Sequence, residues 1–552
     1  MGINVNQGPV NTLALTVPGL YIGVVPPQPT TLNPTPANTI GLIGNASYGP
    51  VNTPIPVTDY ASFVQNFGNL NNRFGDLGTA VAIAIQQGAN NIYCVRVVDN
   101  NTTAHTETPS AAAATAYYGY SSPNYALLLT AKYTGTAGNN FTATIGASQY
   151  PNALKVTLAT GLAAPEVFDG ITNASAVAFW TALANAINNG TNVTRPRSNY
   201  FLASLGTLTS TAIPAVGNVV TLGTGSGATP GADGITNLSA FDYLGQDGVA
   251  GTRTGMYALR GTGCAAAGIM DVHENFTYGT PPTVSSDIWN AQAVFGLSER
   301  IYMVSTEAPG DSVGNWTGYN APGIAGAGGQ YSLKVMFGDW LYWQDTVNGV
   351  QRLVSPVPFL VGRIGNQSPA LSLLNQPIYG IIGSQFANAG TVYSNLDLQT
   401  IQSAGFDVIT PPGQGPGGLP IWTCAIGNNA NYNPAAQGDN YTTMTNYIVS
   451  GLAQIGGLGI FLGQIITPTL LATMLAMLNN WFTAMWQAGL IGNAQGTQPF
   501  QVANTSTPTQ QANGITVINV KVQYGPILRE LALNFQGGQT VQIIDQSNGT
   551  GV

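Results

Sequence analysis

Residues 39–44 read Thr-Ile-Gly-Leu-Ile-Gly, and residues 91–98 read Asn-Ile-Tyr-Cys-Val-Arg-Val-Val. Both are short apolar runs with the signature of buried strands. Between them, Asp59 to Phe67 has the pattern of a short helix, with Thr58 as its N-cap. Leu77 to Gln87 is a second helix of small residues, closed by Gly88 at the C′ position. Strand, helix, helix, strand specifies a layered α/β arrangement.

Toward the amino terminus the pattern weakens. Residues 1–17 are polar and loosely alternating, with Val10, Leu13, Leu15 and Val17 as apolar positions, up to the turn at Pro18-Gly19. Such a segment buries little alone, so residues 1–19 are expected to form an extended arm that needs a strand partner. Leu20 to Val25 is a short apolar run stopped by Pro26-Pro27.

Beyond residue 100 the character changes. Ala, Thr, Gly and Ser dominate residues 100–254, with short strands expected at Ala126–Thr130, Phe141–Ile145, Leu154–Leu158 and Val219–Leu222. A helix is expected over Ala174–Ile187, where Val177, Trp180, Leu183, Ala184 and Ile187 share a face. This stretch reads as an inserted β-rich domain. Residues 255–395 return to α/β: Asp287–Leu297 as helix, Ile301–Val304 and Val357–Val361 as strands, and Ala265–Ala267 as a helix start.

Residues 396–515 form a C-terminal α+β domain. No Lys, Arg, Asp, Glu or His occurs from 440 to 520. Ile448 to Ile466 reaches membrane length, but it carries five Gly and two Gln and no flanking Lys or Arg, so it reads as core. After Pro468, a helix from Thr469 to about Gly489 places Leu470, Leu471, Met474, Leu475, Leu478, Trp481, Phe482 and Met485 on one broad face. Residues 516–552 are strand-like, with Val520, Val522, Leu531, Leu533 and Phe535 as the apolar positions. The fold class expected is α+β multidomain. An α/β core (20–99 and 255–395) carries the 100–254 insertion, followed by the C-terminal domain (396–515) and strand-like arms at both ends.

Composition limits the function. The chain has 552 residues, 44% hydrophobic and only 7% charged, with 14 Lys+Arg, 22 Asp+Glu and two His. Two to four domains are expected at this length. Soluble proteins carry roughly 25% charged residues. Four Lys and a net charge of −8 argue against direct nucleic-acid binding by a basic face. Two His and three Cys argue against a His/Cys zinc cluster, and no cofactor motif is present. No basic n-region or long apolar run marks a secretory signal at the start. A weakly charged surface repels its neighbours little and tends to associate, which suits a large assembly or an acidic habitat.

Catalytic patterns are sparse. Gly310-Asp311-Ser312-Val313-Gly314 matches the nucleophile-elbow spacing, but Pro309 precedes it and no helix pattern follows, so a turn is expected. His273 lies beside Asp271 and Glu274, a grouping more often structural than catalytic, and His105 falls in a Thr-rich linker. Three cysteines cannot all pair within one chain. Cys94 shares a strand face with Arg96, which suggests solvent or a subunit boundary, whereas Cys424 shares one with Trp422 and Ile426 and reads as core. Cys94, Cys264 and Cys424 are therefore either unpaired buried thiols or inter-subunit disulfides.

Several blocks resemble the contractile tail sheath proteins of tailed phages and related injection machines. They are Pro18-Gly19-Leu20-Tyr21 with Val24-Val25-Pro26, Ile40 to Pro50, Val57 to Phe63 with Phe67-Gly68, and Tyr93-Cys94-Val95-Arg96-Val97. Looser matches are Tyr257-Ala258-Leu259, Gly362-Arg363, Gln376-Pro377, Leu398–Ile409 and Gly514–Phe535. The resemblance covers roughly 20–100 and 255–535 and does not extend to residues 100–254, as the variable outer insertion of the family would imply. It implies a mechanical, non-enzymatic subunit of stacked six-fold rings around an inner tube, with 396–515 nearest the tube. Val10, Leu13, Leu15, Val17, Val520, Val522, Leu531, Leu533 and Phe535 would then lie in inter-subunit arms. The implied partners are further copies of the chain, a tail tube protein, and baseplate and tail terminator proteins, without membrane insertion. The implied place is the virion tail, after assembly in the host cytoplasm. A surface-layer or adhesin-type protein is the alternative with similar composition.

Overall fold

The computed structural model describes residues 3–7, 20–24, 37–99, 110–121, 123–191, 195–249, 251–273, 286–310, 330–415, 418–431, 433, 435–453 and 458–531. At its centre is a seven-stranded sheet. The spatial order is Phe406–Asp407, Leu333–Met336, Tyr302–Thr306, Ala266–His273, Thr39–Gly44, Asn91–Arg96 and Ile55–Val57. All neighbours pair in parallel except Ile55–Val57, which runs antiparallel to Asn91–Arg96.

Side-chain alternation splits the apolar residues of this sheet between two cores. Ile40, Leu42, Ile92 and Cys94 face the helices Tyr60–Phe67, Leu77–Gln86 and Val357–Ile364. Ile43, Val95, Ala267 and Ile269 face Ala240–Leu244 and Ser286–Glu299. Layers on both faces cover the central strands from both sides, which is why Thr39–Gly44 is buried at all six positions. Glycine permits close approach here. A Cβ on Gly41 would lie 2.5 Å from Leu259 Cδ1, and one on Gly268 would lie 2.3 Å from Val357 Cγ1.

Several expectations need correction. The first helix is capped by Asp59, not Thr58. Asp59 accepts from Ser62 N and Ser62 answers from its hydroxyl, forming a capping box. Ala266–His273 is the central strand of the sheet rather than a helix start. Val357–Ile364 is a helix rather than a strand, entered through Pro358 in its first turn. It packs on Ala266–His273 and Leu77–Gln86, so it is buried almost all round.

The 110–249 region is rich in strands. One antiparallel sheet runs Glu166–Thr172, Ala153–Ala159, Thr142–Ala147, Val219–Thr221, and another runs Phe201–Leu205, Leu127–Ala131, Thr115–Tyr118. The helix Ala176–Asn189 packs on both through Phe179, Trp180, Leu183 and Ile187. The C-terminal unit holds the helices Asp439–Ala453 and Pro468–Gln487 and the hairpin Phe500–Asn504/Ile518–Val522 around Met444, Leu478, Phe482 and Phe500. Among the described residues no helix is long and apolar enough to cross a membrane.

Candidate assembly interface

Arg96, expected near solvent, is fully buried. Its guanidinium donates to Gly49 O at 2.8 Å, Thr134 O at 2.6 Å and Asp233 O at 3.1 Å. Asp233 in turn accepts from Arg73 at 2.5 Å and from Thr136 N at 2.6 Å. Arg96 thus fastens the end of its strand to the 110–249 region at Thr134 and Asp233. The Cys94 face is core, not boundary.

The three thiols follow the same rule. Cys94, Cys264 and Cys424 are free, and none is more than 3% exposed. Burial raises all three thiols, Cys264 to about 12, so little reactive thiolate forms near neutrality. This arrangement matches unpaired buried thiols. An inter-subunit disulfide would require the core to open.

A second buried cluster joins the sheet to the C-terminal unit. Lys334 Nζ, wholly inaccessible, reaches Asp407 Oδ2 at 2.5 Å, Asn428 O at 2.8 Å and Asp439 Oδ1 at 3.3 Å. Asp439 opens the helix Asp439–Ala453, and it also accepts from the Tyr302 hydroxyl and from Leu373 N at 3.4 Å. Asp407 accepts from Ile426 N at 3.1 Å and Gly427 N at 2.9 Å. Burial opposes charge on Lys334, but Asp407 and Asp439 more than offset it, so the ammonium is held above its ordinary value. Burial raises Asp439, with Lys334 working against the rise. The cluster binds three sheet strands, two loops and one helix into a single joint. Sequence reading missed it because its members lie 73 and 105 positions apart. The available signal was local: in a chain with four Lys, one stands inside the apolar run Leu333-Lys334-Val335-Met336.

The hairpin beyond this joint has open edges. Phe500 pairs with Val522, Val502 with Val520 and Asn504 with Ile518, and among the described residues neither strand pairs with a third. Val520 and Val522 are half-buried against the core around Leu478, Phe482 and Phe500, while Asn519 and Lys521 face outward. Leu531 is 81% exposed and Leu528 is 74% exposed. At the other end, Ile3–Gln7 pairs in parallel with Leu20–Val24 in a separate two-stranded sheet, so within one chain this arm finds a strand partner apart from the core. Val10, Leu13, Leu15, Val17, Leu533 and Phe535 lie outside the described residues.

The position where an open parallel sheet takes a ligand is filled here. Strand order reverses between Thr39–Gly44 and Ala266–His273, and ligands of such sheets enter at the carboxyl ends there. Asn45 Nδ2 occupies that position, donating to Phe74 O at 2.8 Å and Tyr243 Oη at 3.1 Å. Asp271 accepts from Gly75 N at 3.0 Å and Ser355 N at 3.2 Å. His273 lies edge-on to Phe74 and Trp340. His105, Glu274 and Ser312 lie outside the described residues. Among the described residues no group of three or more His, Cys, Asp or Glu is placed to hold a metal ion.

The fold has solved counterparts. A sheath tail protein from Desulfitobacterium hafniense matches with a TM-score of 0.53 over 88% of this chain and 93% of that one, at 12% identity. A sheath tail protein from Listeria innocua matches at 0.55 over 88% and 94%, at 14% identity. The helical sheath of the anti-feeding prophage in its contracted state matches at 0.50 over 95% and 100%, at 9% identity. No protein-family model and no curated protein matches the sequence. Identities this low establish a shared fold. The chain has the fold of tail sheath proteins.

Proposed function

We propose that this chain is the structural and mechanical subunit of a contractile tail sheath. Copies form stacked six-fold rings around an inner tube, and contraction drives that tube through a host envelope without catalysis by the chain. The observation that carries the reading is the likeness to solved sheath tail proteins over 88% of the chain.

The hairpin supports a linking mechanism. A two-stranded sheet with one face packed and both edges open presents unpaired main-chain groups that can template a further strand. The terminal arms of neighbouring copies complete it by strand addition, which draws affinity from main-chain hydrogen bonds. A mesh joined this way stays connected while the bodies of the subunits swing. The tube protein, the baseplate and the tail terminator are the further partners. The particle belongs to a virion tail assembled in the host cytoplasm.

Negative-stain electron microscopy of the purified chain tests the reading. Tubes or stacked rings are the expected result. Stable monomers would refute it, and flat lattices would favour a surface-layer protein instead.

A further inference from the structure

Between the helices Asp439–Ala453 and Pro468–Gln487, the chain presents apolar side chains to water. Leu462 and Ile465 are each 84% exposed, and Ile460 is 40% exposed. The first half of Pro468–Gln487 continues the face: Leu470, Leu471, Met474 and Leu475 are half-exposed, and burial in that helix begins only at Met477. Grooves of about 660 Å³ and 470 Å³ flank the ridge, both bordered by Phe461 and Leu470. Neither groove contains a charged residue, because none occurs between Asp439 and Lys521. Contiguous exposed apolar surface of this kind marks a contact site.

The chemistry of the ridge selects its occupant. A charged side chain brought against it would lose water without gaining a counterion, which is costly. The partner surface must therefore be nearly free of charge, and a chain with few charges overall offers such surface more readily than one with the usual roughly 25%. This chain is itself of that kind. Only 7% of its residues are charged, and eleven of its 22 acidic residues are buried, among them Asp76, Asp271, Glu307, Asp339, Asp407 and Asp439. The first 58 residues carry no charge at all. The ridge also adjoins the open-edged hairpin, since Gly514, Thr516 and Ile518 border the smaller groove.

We propose that the ridge at 458–476 docks on a second copy of this chain through a charge-free apolar contact. The proposal rests on the sheath reading above. The contact is head-to-tail, ridge on one copy and a different neutral patch on the next, which generates rings or helices rather than closed dimers. Both exposed anchors can be changed without touching the core. In the double variant L462D/I465D the thermal midpoint of the monomer is expected to stay at the wild-type value, and the critical concentration for polymerisation to rise at least about tenfold. Wild-type polymers are expected to persist from low to high salt, because no ion pair holds this contact. A double variant that polymerises like the wild type overturns the ridge contact and leaves the sheath reading standing. Wild-type polymers that dissolve at high salt overturn its apolar character. A wild-type chain that never polymerises overturns both.

Discussion

Replacing Lys334 by Met tests the joint between the sheet and the C-terminal unit. Met nearly matches the length of the lysine stem, so packing changes little and the ammonium is what is lost. Asp407 and Asp439 then stay buried, at 0% and 1% side-chain exposure, without a cation. Removing one partner of a buried pair costs about 3–5 kcal/mol. Asp407 keeps its backbone donors at Ile426 and Gly427, and Asp439 keeps Tyr302, which places the loss toward the lower end. The disruption should be local, so hydrogen exchange is the suitable assay. Amides in Tyr302–Thr306 and Asp439–Ala453 should exchange on the order of 10²-fold faster. Amides in the Ala176–Asn189 helix of the insertion, which shares none of these contacts, should be unchanged. The effect should also shrink in acid. Asp439 already has its carboxyl raised by burial, and losing Lys334 raises it further. A raised carboxyl favours the folded state when protonated, so the variant recovers stability as pH falls through that raised value. Unchanged exchange in Asp439–Ala453 at neutral pH would refute the account of the joint.

Three further outcomes follow from the geometry. Intact particles should run as monomers on non-reducing gels, and a thiol reagent should label the chain only after denaturation, because all three cysteines are buried; a ladder lost on reduction would contradict this. Burial lowers His273 to about 4, so its contribution to stability is full above its ordinary value of about 6.5 and fades as pH falls toward the lowered one. H273N should therefore lose less thermal midpoint than wild type between about pH 7 and pH 4, and equal losses would count against it. Phe482 is fully buried against Trp481 and Phe500, with centroids at 5.0 Å and 5.6 Å, so F482A should cost about 3–5 kcal/mol and speed exchange in the Phe500–Val522 hairpin before the central sheet; uniform destabilisation would argue that the C-terminal unit is not a separate cooperative element.

The elements that were legible in the sequence share one property: their pattern arises from a single environment. Thr39–Gly44, Tyr60–Phe67, Leu77–Gln86 and Asn91–Arg96 fall where the apolar runs and caps put them. The exchanged pair shows the limit. Ala266–His273 has the composition of a helix start, and Val357–Ile364 that of a buried strand, yet each is the reverse. Both are buried on nearly all sides, and a fully buried segment has no periodicity to reveal its type. Small residues in the central strand instead make room for the helix, as the contact between Gly268 and Val357 shows. In the insertion, Glu166–Thr172 was hidden because a bulge between Phe168 and Ile171, with Gly170 at φ 74°, breaks its alternation. The Lys334 joint was illegible for a different reason. Pairing at long sequence separation leaves no local pattern.

Charge allocation links the fold to the proposed work. A chain this poor in charge could have spread its carboxylates over the surface for solubility, but much of its supply is interior. Asp271, Asp339, Asp345 and Asp407 each accept two or more hydrogen bonds that fix a loop or a turn. Such bonds are directional, so they make each body of the subunit rigid. Exposed aliphatic residues are the opposite: their contacts are weakly directional and can be exchanged for others of similar free energy. A bistable assembly requires that combination, rigid parts with interchangeable contacts, because two packings must lie close in energy while the parts themselves do not deform. Moving charge from the interior to the surface would soften the parts and fix the contacts at the same time. The placement of Asp407 and Asp439 beside Lys334, with Leu462 and Ile465 left in water, fits the sheath subunit proposed above.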